Sequence, residues 1–411
     1  MTASAAVDYF GRSVRDRLFA PSGPDSCRIG VEIEMLPLLS GSGLPCPLET
    51  TASDDPSTLG FLRPYGKALG WRECRSAKGA PYFALPNGAT LTFEPGGQLE
   101  LCTQARRAIS GLLGETRVIL DRLRHSAAEA GISLVSVGID PANEIDRVPL
   151  QLQSARYVEM TRYFESIGPF GVRMMRQTAA TQVSVDGGPD PAGRWRLLSD
   201  LAPYLTAIFA NSPRYAGRDT GYRSFRAQCW RELDDSRTGV PFPELPAAEA
   251  YTRFALDAVD MTRRDPNGSY RAFSEWVQGG KWTEPQWDNH LTTLFPEVRP
   301  RGHLEIRSLD AVDSPTVTAA CVLIAGLTYD MSSAMDARHL VGAADEESLK
   351  RAARCGLYDP VIGETAIALA QIGLRGASKL GEKVIAGAEL EEASAFVSEW
   401  TFRRRSPADD R

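Results

Sequence analysis

The stretch Cys27-Arg-Ile-Gly-Val-Glu-Ile-Glu-Met-Leu-Pro-Leu38 decides the fold. It is rich in β-branched and apolar residues and carries two carboxylates, Glu32 and Glu34, at alternate positions. On a strand, residues i and i+2 project from the same face, so these two carboxylates stand together while Val31 and Ile33 point into the core. Neighbouring carboxylates repel each other, and a hard cation such as Mg²⁺ removes that penalty. Taken alone, however, the pattern is more typical of a solvent-facing strand with two acidic residues.

Other segments of the chain have the patterns of strands and helices. Strand patterns cover Tyr82–Leu85, Thr90–Glu94, Gln98–Thr103, Ser133–Ile139, Ala180–Asp186 and His303–Leu309. Helical periodicity covers Ala105–Ala130, Trp195–Ala210, Ala247–Val259, Thr316–Ala334 and Val361–Leu374. Because the strands alternate in polarity and are joined partly by hairpins, we predict an α+β fold, an antiparallel sheet covered by helices. The Gly-, Pro- and Ser-rich segment Leu39–Pro56 predicts a surface loop rather than a domain boundary.

Composition and charge exclude several classes of protein. Hydrophobic residues make up 43% and charged residues 24% of the 411 residues, which are ordinary globular values. A formal net charge of −6 argues against a nucleic-acid-binding surface. The first residues contain no basic region followed by an apolar stretch, and no apolar run reaches the ~18 residues that span a bilayer. We therefore expect a cytoplasmic protein that does not bind membranes. Seven cysteines without a C-x-x-C pair favour neither zinc nor a disulfide framework.

The segment Phe93-Glu-Pro-Gly-Gly-Gln-Leu-Glu-Leu101 predicts a hairpin, with Gln98 and Glu100 on one face. The position of Glu94 depends on the loop. A two-residue Gly-Gly turn would place it opposite Leu99, on the other face, whereas a five-residue loop would place it opposite Glu100, on the same face. An ordinary hairpin with a surface acid is equally consistent with these residues.

The segment His303-Leu-Glu-Ile-Arg-Ser-Leu-Asp310 places His303, Glu305 and Arg307 on one face of a strand. A glutamate beside an arginine is more often a plain salt bridge than a catalytic pair. In an ATP site, however, the carboxylate holds magnesium and the guanidinium binds phosphate. The sequence has no phosphate-binding glycine loop and no dinucleotide fingerprint, so any nucleotide would have to be held through a metal cluster.

Arg223 and Arg226 lie three residues apart among aromatic residues. Planar guanidinium groups in this spacing suit recognition of a substrate carboxylate. Two exposed arginines on an amphipathic helix would give the same pattern, and for these residues alone that alternative is slightly favoured.

Together, these stretches resemble the plant-type glutamate–cysteine ligase family, within the glutamine-synthetase-like superfamily. The motifs occur in order over about residues 28–310. They are Gly-Val-Glu-Ile-Glu at 30–34, Phe-Glu-Pro-Gly-Gly-Gln-Leu-Glu at 93–100, Arg156-Tyr157, Met160, Arg162-Tyr163, Met174-Met175, Thr178, Thr181-Gln182-Val183, Phe209-Ala-Asn-Ser-Pro213, Arg226, Trp230, Arg237-Thr-Gly239, the run from His290 to Arg299, and Leu304-Glu-Ile-Arg307. Each motif is weak alone, but the ordered set is specific.

The resemblance implies a sheet curved into a funnel, with ATP and magnesium at one end and glutamate at the other. It implies a single catalytic domain over 1–411, with the sheet and site residues mainly in 28–310 and a helical part over 311–411. It also implies L-glutamate and L-cysteine as substrates: ATP phosphorylates the γ-carboxylate of glutamate, and the cysteine amine displaces phosphate to give γ-glutamylcysteine. The implied magnesium ligands are Glu32, Glu34, Glu94, Glu100 and Glu305. Arg307 would steady the transferring phosphate, and the substrate contacts would be Arg226, Arg223 and Gln182.

The chain departs from the plant pattern at two places. Ser184 stands where plant enzymes carry Asn, and Gln177 stands where they carry Arg. Arg223 and the run Arg299-Pro-Arg-Gly302 look more like the bacterial ergothioneine-pathway branch, which we therefore favour. Another carboxylate–amine ligase of the same fold, a non-catalytic relative that binds ATP or an amino acid, and a helical scaffold stay open as alternatives. The sequence leaves the oligomeric state and the adenine contacts undetermined.

Overall fold

The computed structural model of the protein describes residues 3–23, 27–51 and 55–411, apart from the side chains of residues 3–7. Its strands are β1 Ile29–Leu39, β2 Arg72–Arg75, β3 Pro81–Ala84, β4 Thr90–Phe93, β5 Leu99–Cys102, β6 Ile132–Val135, β7 Ala180–Asp186, β8 Arg214–Tyr215, β9 Arg218–Asp219, β10 Val298–Pro300 and β11 His303–Asp310. Within the described residues, nine of them form one antiparallel sheet in the order β10-β11-β7-β1-β5-β4-β3-β2, with β6 paired to the second half of β1. Strands β8 and β9 form a separate hairpin.

The register of this sheet separates a polar face from an apolar one. Glu32 lies opposite both Cys102 and Gln182, and Glu34 lies opposite Glu100. Because directly opposed residues project from the same face, the acidic residues of neighbouring strands are brought together. The alternate residues form the apolar face, where Val31, Ile33, Leu101, Val183 and Ile306 are fully buried.

Sixteen helices lie in the described part of the chain. They are α1 Ala3–Ser13, α2 Thr58–Ala68, α3 Ile109–Glu129, α4 Ala155–Ile167, α5 Pro169–Gln177, α6 Pro191–Ile208, α7 Phe225–Leu233, α8 Asp235–Thr238, α9 Ala247–Asp257, α10 Phe273–Gln278, α11 Glu284–Leu291, α12 Ser314–Tyr329, α13 Met331–Leu340, α14 Glu346–Cys355, α15 Pro360–Leu380 and α16 Gly387–Glu399. One turn of π-helix, Val14–Leu18, and four short 3₁₀ turns add to them.

The main core lies between the apolar sheet face and helices α3, α6 and α12. Leu120, Trp195 and Val317, one from each helix, belong to the same buried cluster as the apolar residues of the sheet. The Trp195 indole also donates a hydrogen bond to the carbonyl of Val298, at 2.8 Å. Burial of this face fixes the register, since a one-residue slip would turn the apolar residues to the other side.

Helix α12 is buried on nearly all sides, as expected for a helix with no polar stripe. It packs so closely on α15 that a Cβ at position 326 would lie 1.9 Å from the carbonyl oxygen of Gly373, and Gly326 therefore permits the contact. Helix α12 ends at Asp330. The side chain of Asp330 accepts a hydrogen bond from the N–H of Ser333 and so caps the start of α13. In the described part of the chain, no single helix is long and apolar enough to cross a membrane, and α12 and α13 pass that test only together, across a 94° bend.

The predicted α+β architecture, an antiparallel sheet covered by helices, is confirmed. The predicted strands are present, although Ser133–Ile139 is shorter, and Thr316–Ala334 divides into α12 and the start of α13. Prediction missed β2, whose exposed charged residues give no apolar alternation, and also β10, which is three residues long. The loop Leu39–Pro56 has no helix or strand after Leu39 in its described residues, and 52–54 lie outside them. The funnel curvature and the single domain over 1–411 stay predictions.

Candidate active site

Glutamate side chains meet on the polar face where β1 and β5 run side by side. Glu34 and Glu100 are directly opposed and are buried, with 9% and 7% of their surface exposed. Glu32 lies two residues before Glu34 on β1 and is directly opposed to Cys102. The pairing predicted for Glu32 and Glu34 is therefore extended by a third carboxylate from the neighbouring strand.

The β4–β5 hairpin brings Glu94 to this group. Phe93 pairs with Leu99, and the N–H of Glu94 donates to the carbonyl of Gln98 at 2.9 Å. Glu94 therefore lies opposite Gln98 and on the same face as Glu100. The loop between them, Pro95 to Gly97, has three residues, which is neither of the two lengths considered from the sequence.

Two features hold this loop in place. The side chain of Gln98 accepts a hydrogen bond from the N–H of Gly96 at 2.9 Å and donates one to the carbonyl of Thr178 at 2.9 Å. A Cβ at position 96 would lie 2.0 Å from the carbonyl oxygen of Arg176, at the end of α5. Only glycine allows the loop to approach α5 so closely, and this contact fixes the direction of Glu94.

A cavity of about 640 Å³ lies over the polar face. Its floor contains the four glutamates of β1, β5 and the hairpin, together with Gln182 and Arg307. Its walls contain the arginines Arg17, Arg156, Arg299 and Arg301. Apolar and aromatic residues complete the walls, among them Tyr157, Met175, Trp230 and Phe295. The cavity therefore combines buried carboxylates with several cations, which suits a ligand that carries both a metal ion and anionic groups.

The four floor carboxylates are poorly compensated. Burial, followed by repulsion from Glu100 and Glu305, raises the pKa of Glu32 to about 7. Burial and the other carboxylates also raise the pKa values of Glu94 and Glu100. Burial raises the pKa of Glu34 as well, although its oxygens accept hydrogen bonds from the Ala180 N–H at 2.8 Å and from the Gln182 amide at 2.9 Å. Such a group takes up protons unless a cation is bound.

Glu305 has the opposite environment. Its fully buried carboxylate accepts from Arg299 at 2.8 Å, from Arg301 at 3.0 Å, and from Arg307. Burial alone would raise the pKa of Glu305, but the guanidinium groups of Arg299, Arg307 and Arg301 outweigh it and hold that pKa far below its ordinary value. The predicted Glu305–Arg307 pair is thus part of a larger cluster, with one carboxylate among three cations.

Arg307 joins the two environments. It lies at an irregularity in the β11–β7 pairing, between Ile306 and Leu309, and its guanidinium donates to the Gln182 side-chain oxygen at 2.6 Å. Since the amide nitrogen of Gln182 donates to Glu34, Gln182 connects Arg307 to the carboxylate group. The structure thus brings Gln182, Arg307 and all five predicted glutamates to one face.

Arg226 lies behind Arg307 rather than in the cavity wall. It is 2% exposed, donates to the backbone carbonyl of Arg307 at 2.9 Å, and stacks over Trp230 at 4.6 Å. Its charge faces Asp310, with 3.8 Å between the nearest atoms. As placed, Arg226 supports the backbone that carries Arg307, and its predicted contact with glutamate stays a prediction.

Arg223 is not brought to the cavity. It forms an ion pair with Asp409 at 2.8 Å near the end of the chain and stacks on Tyr358 at 4.7 Å. Its predicted role as a substrate contact therefore has no support from its position.

Sequence reasoning overlooked several residues of the cavity. Cys102 was not considered, although it continues the alternation of Gln98 and Glu100 on β5 and could have been found from that period. Arg17, in the turn of π-helix, and Tyr251, in α9, are far away in the sequence, where no local pattern marks them. Arg299 and Arg301 were noted only as a family feature, whereas they are the main partners of Glu305.

The residues fit a magnesium site by their chemistry, because carboxylate oxygen is the preferred ligand of this hard cation and four of the carboxylates form no ion pair within the described part of the chain. As the side chains stand, no three Asp, Glu, His or Cys residues of the described chain lie close enough to hold one ion. Side-chain rotation would have to bring the carboxylates together around a metal. The predicted metal ligands accordingly stay predictions.

Comparison with known proteins places the chain among ligases. It is 36% identical to the glutamate–cysteine ligase EgtA of Mycolicibacterium smegmatis, over 79% of this chain and 78% of that protein. It is 35% identical to EgtA of Mycobacterium tuberculosis, over 66% and 69%. It is 28% identical to the chloroplastic glutamate–cysteine ligase A of Oryza sativa subsp. japonica, over 75% and 67%.

The protein belongs to glutamate–cysteine ligase family 2, whose family model matches residues 28–398. The resemblance inferred from the motifs is therefore confirmed. The two mycobacterial proteins are also more similar to this chain than the rice protein is, in agreement with the favoured bacterial branch.

Proposed function

We propose that the protein is a magnesium- and ATP-dependent glutamate–cysteine ligase that forms γ-glutamylcysteine. The family and the names of its relatives support the substrates. The observation that carries the chemistry is the group of four buried or half-buried, poorly compensated carboxylates in the cavity floor, beside the Glu305 cluster. A sensor or a scaffold would have no need to bury so many carboxylates at such cost.

Glu32, Glu34, Glu94, Glu100 and Glu305 are the proposed magnesium ligands. Bound magnesium would neutralise the phosphates of ATP and the charge that develops during phosphoryl transfer. For Glu305 to bind a metal, at least one of its arginine contacts must give way, because all three arginines now donate to its two oxygens. Arg301 is the best placed to do so, since its side chain is 49% exposed.

Arg299, Arg301 and Arg307 would bind the triphosphate at the β10–β11 end of the cavity. Guanidinium groups bind phosphate oxygens through paired hydrogen bonds, and unlike lysine they stay charged when buried. Arg307 has a buried Nε atom without a hydrogen-bond partner in the described structure, and Arg299 has the same feature. These free donors support an anionic ligand at this end.

The proposed reaction requires no nucleophile from the protein. The γ-carboxylate oxygen of glutamate attacks the terminal phosphorus of ATP, and ADP leaves. The cysteine amine then attacks the acyl carbon, so that the C–N bond forms and phosphate leaves. Positioning and charge neutralisation supply most of the rate in such transfers. Gln182 serves here by holding Arg307 and Glu34 in fixed relative positions.

ADP release by the purified protein tests this function, with ATP, Mg²⁺ and glutamate present and each common amino acid added in turn. We expect release to rise with cysteine, and the mass of the product to be that of γ-glutamylcysteine. A rise with a different amine would retain the ligase mechanism and replace the acceptor. ATP binding without turnover for any amine would contradict the proposal and favour a binding protein.

A further inference from the structure

A second cavity of about 660 Å³ lies beside the active-site cavity. The two share the side chains of Arg156 and Tyr157. We call the second cavity the outer chamber. It lies between the end of β2 with the turn to β3, which carry Arg75 and Lys78, and the segment 149–154 before α4.

The outer chamber is tied to the loop that carries Glu94. The side chain of Gln151, which lines the chamber, donates to the carbonyl of Gly96 at 2.9 Å, and its backbone N–H donates to the carbonyl of Pro95 at 2.7 Å. The chamber therefore adjoins the Glu94 end of the active-site cavity, away from Arg299 and Glu305.

Its charge is positive and unbalanced. Among the described residues, neither Arg75 nor Lys78 forms an ion pair with a carboxylate, and Arg75 only donates to the carbonyl of Gly79 at 2.9 Å. Of the described residues in the lining, Glu49 is the one acid, and it is already paired with Arg63 at 2.7 Å. Partial burial and then the charge of Arg156 lower the pKa of Lys78, as expected where cations face each other across a cavity.

Arg156 stands at the boundary between the two cavities. Its guanidinium donates to the carbonyl of Thr292 at 3.1 Å, and its buried Nε atom has no hydrogen-bond partner in the described structure. A planar guanidinium with a free donor is the usual partner of a carboxylate. An anion that entered past Arg75 and Lys78 would meet Arg156 next.

We propose that the outer chamber is a capture site for glutamate, in which Arg75, Lys78 and Arg156 attract its two carboxylates before it enters the active-site cavity. This inference rests on the proposed function, in which the triphosphate occupies the Arg299–Arg301–Arg307 end and leaves the Glu94 end to the amino acids. Clustered charges of one sign at the mouth of a cavity raise the local concentration and the association rate of an oppositely charged ligand. Cysteine has no net charge at neutral pH and gains less from such a field.

Steady-state kinetics of the full-length double variant Arg75→Gln/Lys78→Gln test the proposal. We expect KM for glutamate to rise about threefold to tenfold at low salt, and the difference from wild type to shrink as added salt screens the charges. KM for ATP should be the same in the double variant as in the control variant. The matched control is Arg72→Gln, an exposed arginine on the same hairpin that does not line the chamber.

Other outcomes would overturn the proposal. A larger rise in KM for ATP than for glutamate would assign the chamber to the nucleotide. An effect no larger than that of Arg72→Gln would mean that the chamber captures neither substrate. If wild type makes no γ-glutamyl product, the proposed function fails separately, and direct binding of glutamate by calorimetry then decides. Weaker binding by the double variant would support the capture site, and unchanged binding would contradict it.

Discussion

Two groups of acidic residues on the same sheet face have opposite electrostatic environments. Glu305 lies among Arg299, Arg301 and Arg307, and its pKa is far below the ordinary value. The floor carboxylates, Glu32, Glu34, Glu94 and Glu100, have raised pKa values because they are buried beside one another. The fold thus gives one carboxylate direct ion pairs with three arginines, whereas the other four form no ion pair with a described residue, which is the arrangement expected where an external divalent cation must bind.

The largest expected effect is on catalysis. In Glu34→Gln, the new side chain can still accept a hydrogen bond from Ala180 but no longer carries the charge that a metal needs. We expect turnover to fall by about a hundredfold to a thousandfold, as for removal of one strong transition-state interaction. The control Glu129→Gln changes an exposed glutamate with a 70% exposed side chain and should retain wild-type turnover. Wild-type turnover by Glu34→Gln would remove this residue from the metal site.

The second effect contrasts stability in the two groups. Glu305→Gln leaves three arginines without their anion, and breaking such a buried pair costs about 3–5 kcal/mol. Glu100→Gln instead removes a carboxyl whose ionised form is disfavoured by burial and by neighbouring carboxylates, so it should be neutral or stabilising in the absence of Mg²⁺. Urea unfolding of both variants in a chelator measures the difference. If Glu305→Gln and Glu100→Gln lowered the unfolding free energy equally, Glu305 and Glu100 would not differ in how neighbouring charges compensate them.

The contrast also predicts a pH dependence. The pKa of Glu32 rises from an ordinary value of 4.5 to about 7 in the folded protein. The folded state therefore holds a proton that the unfolded state has lost, and the unfolding free energy decreases as the pH rises from about 4.5 to 7. Over this pH range, the proton on Glu32 accounts for a decrease of up to about 3 kcal/mol in the unfolding free energy. Unfolding without Mg²⁺ at several pH values checks this, and Glu32→Gln should flatten the profile; an unchanged slope in that variant would contradict the assignment.

The smallest effect concerns Arg301. Its side chain is 49% exposed, whereas that of Arg299 is 12% exposed, and both donate to Glu305. Because exposed ion pairs contribute little, Arg301→Gln should change the unfolding free energy by less than about 1 kcal/mol. Arg299→Gln should cost clearly more. A reversed order would show that Arg301, rather than Arg299, compensates Glu305.

Much of this site could be predicted from local sequence patterns. The period-2 alternation placed Glu32 with Glu34 and Glu305 with Arg307, because successive side chains on a strand point to opposite faces of the sheet. The position of Glu94 could not be predicted, since it depends on the length of a loop whose glycines allow several conformations. The structure resolves it through the pairing of Phe93 with Leu99.

The positions of the arginines were the hardest to predict. Arg226 was expected to contact substrate, yet the packing of α7 on β11 places it behind the backbone of Arg307. Arg223 is held near the chain end by Asp409, 186 residues away in the sequence. Such placements depend on how distant elements pack together, and no periodicity within a single segment reports on them. The three-arginine environment of Glu305 is more local, since Arg299 lies opposite Glu305 in the β10–β11 hairpin, and it was missed because β10 itself was missed.

Calorimetric titration of the full-length protein with Mg²⁺ tests the central claim most directly. At pH 7, in two buffers with different ionisation enthalpies, the account predicts that Mg²⁺ binds and releases protons from the floor carboxylates. Glu34→Gln should weaken that binding. Binding without proton release, or no binding at millimolar Mg²⁺, would contradict the claim that these carboxylates form a cation site.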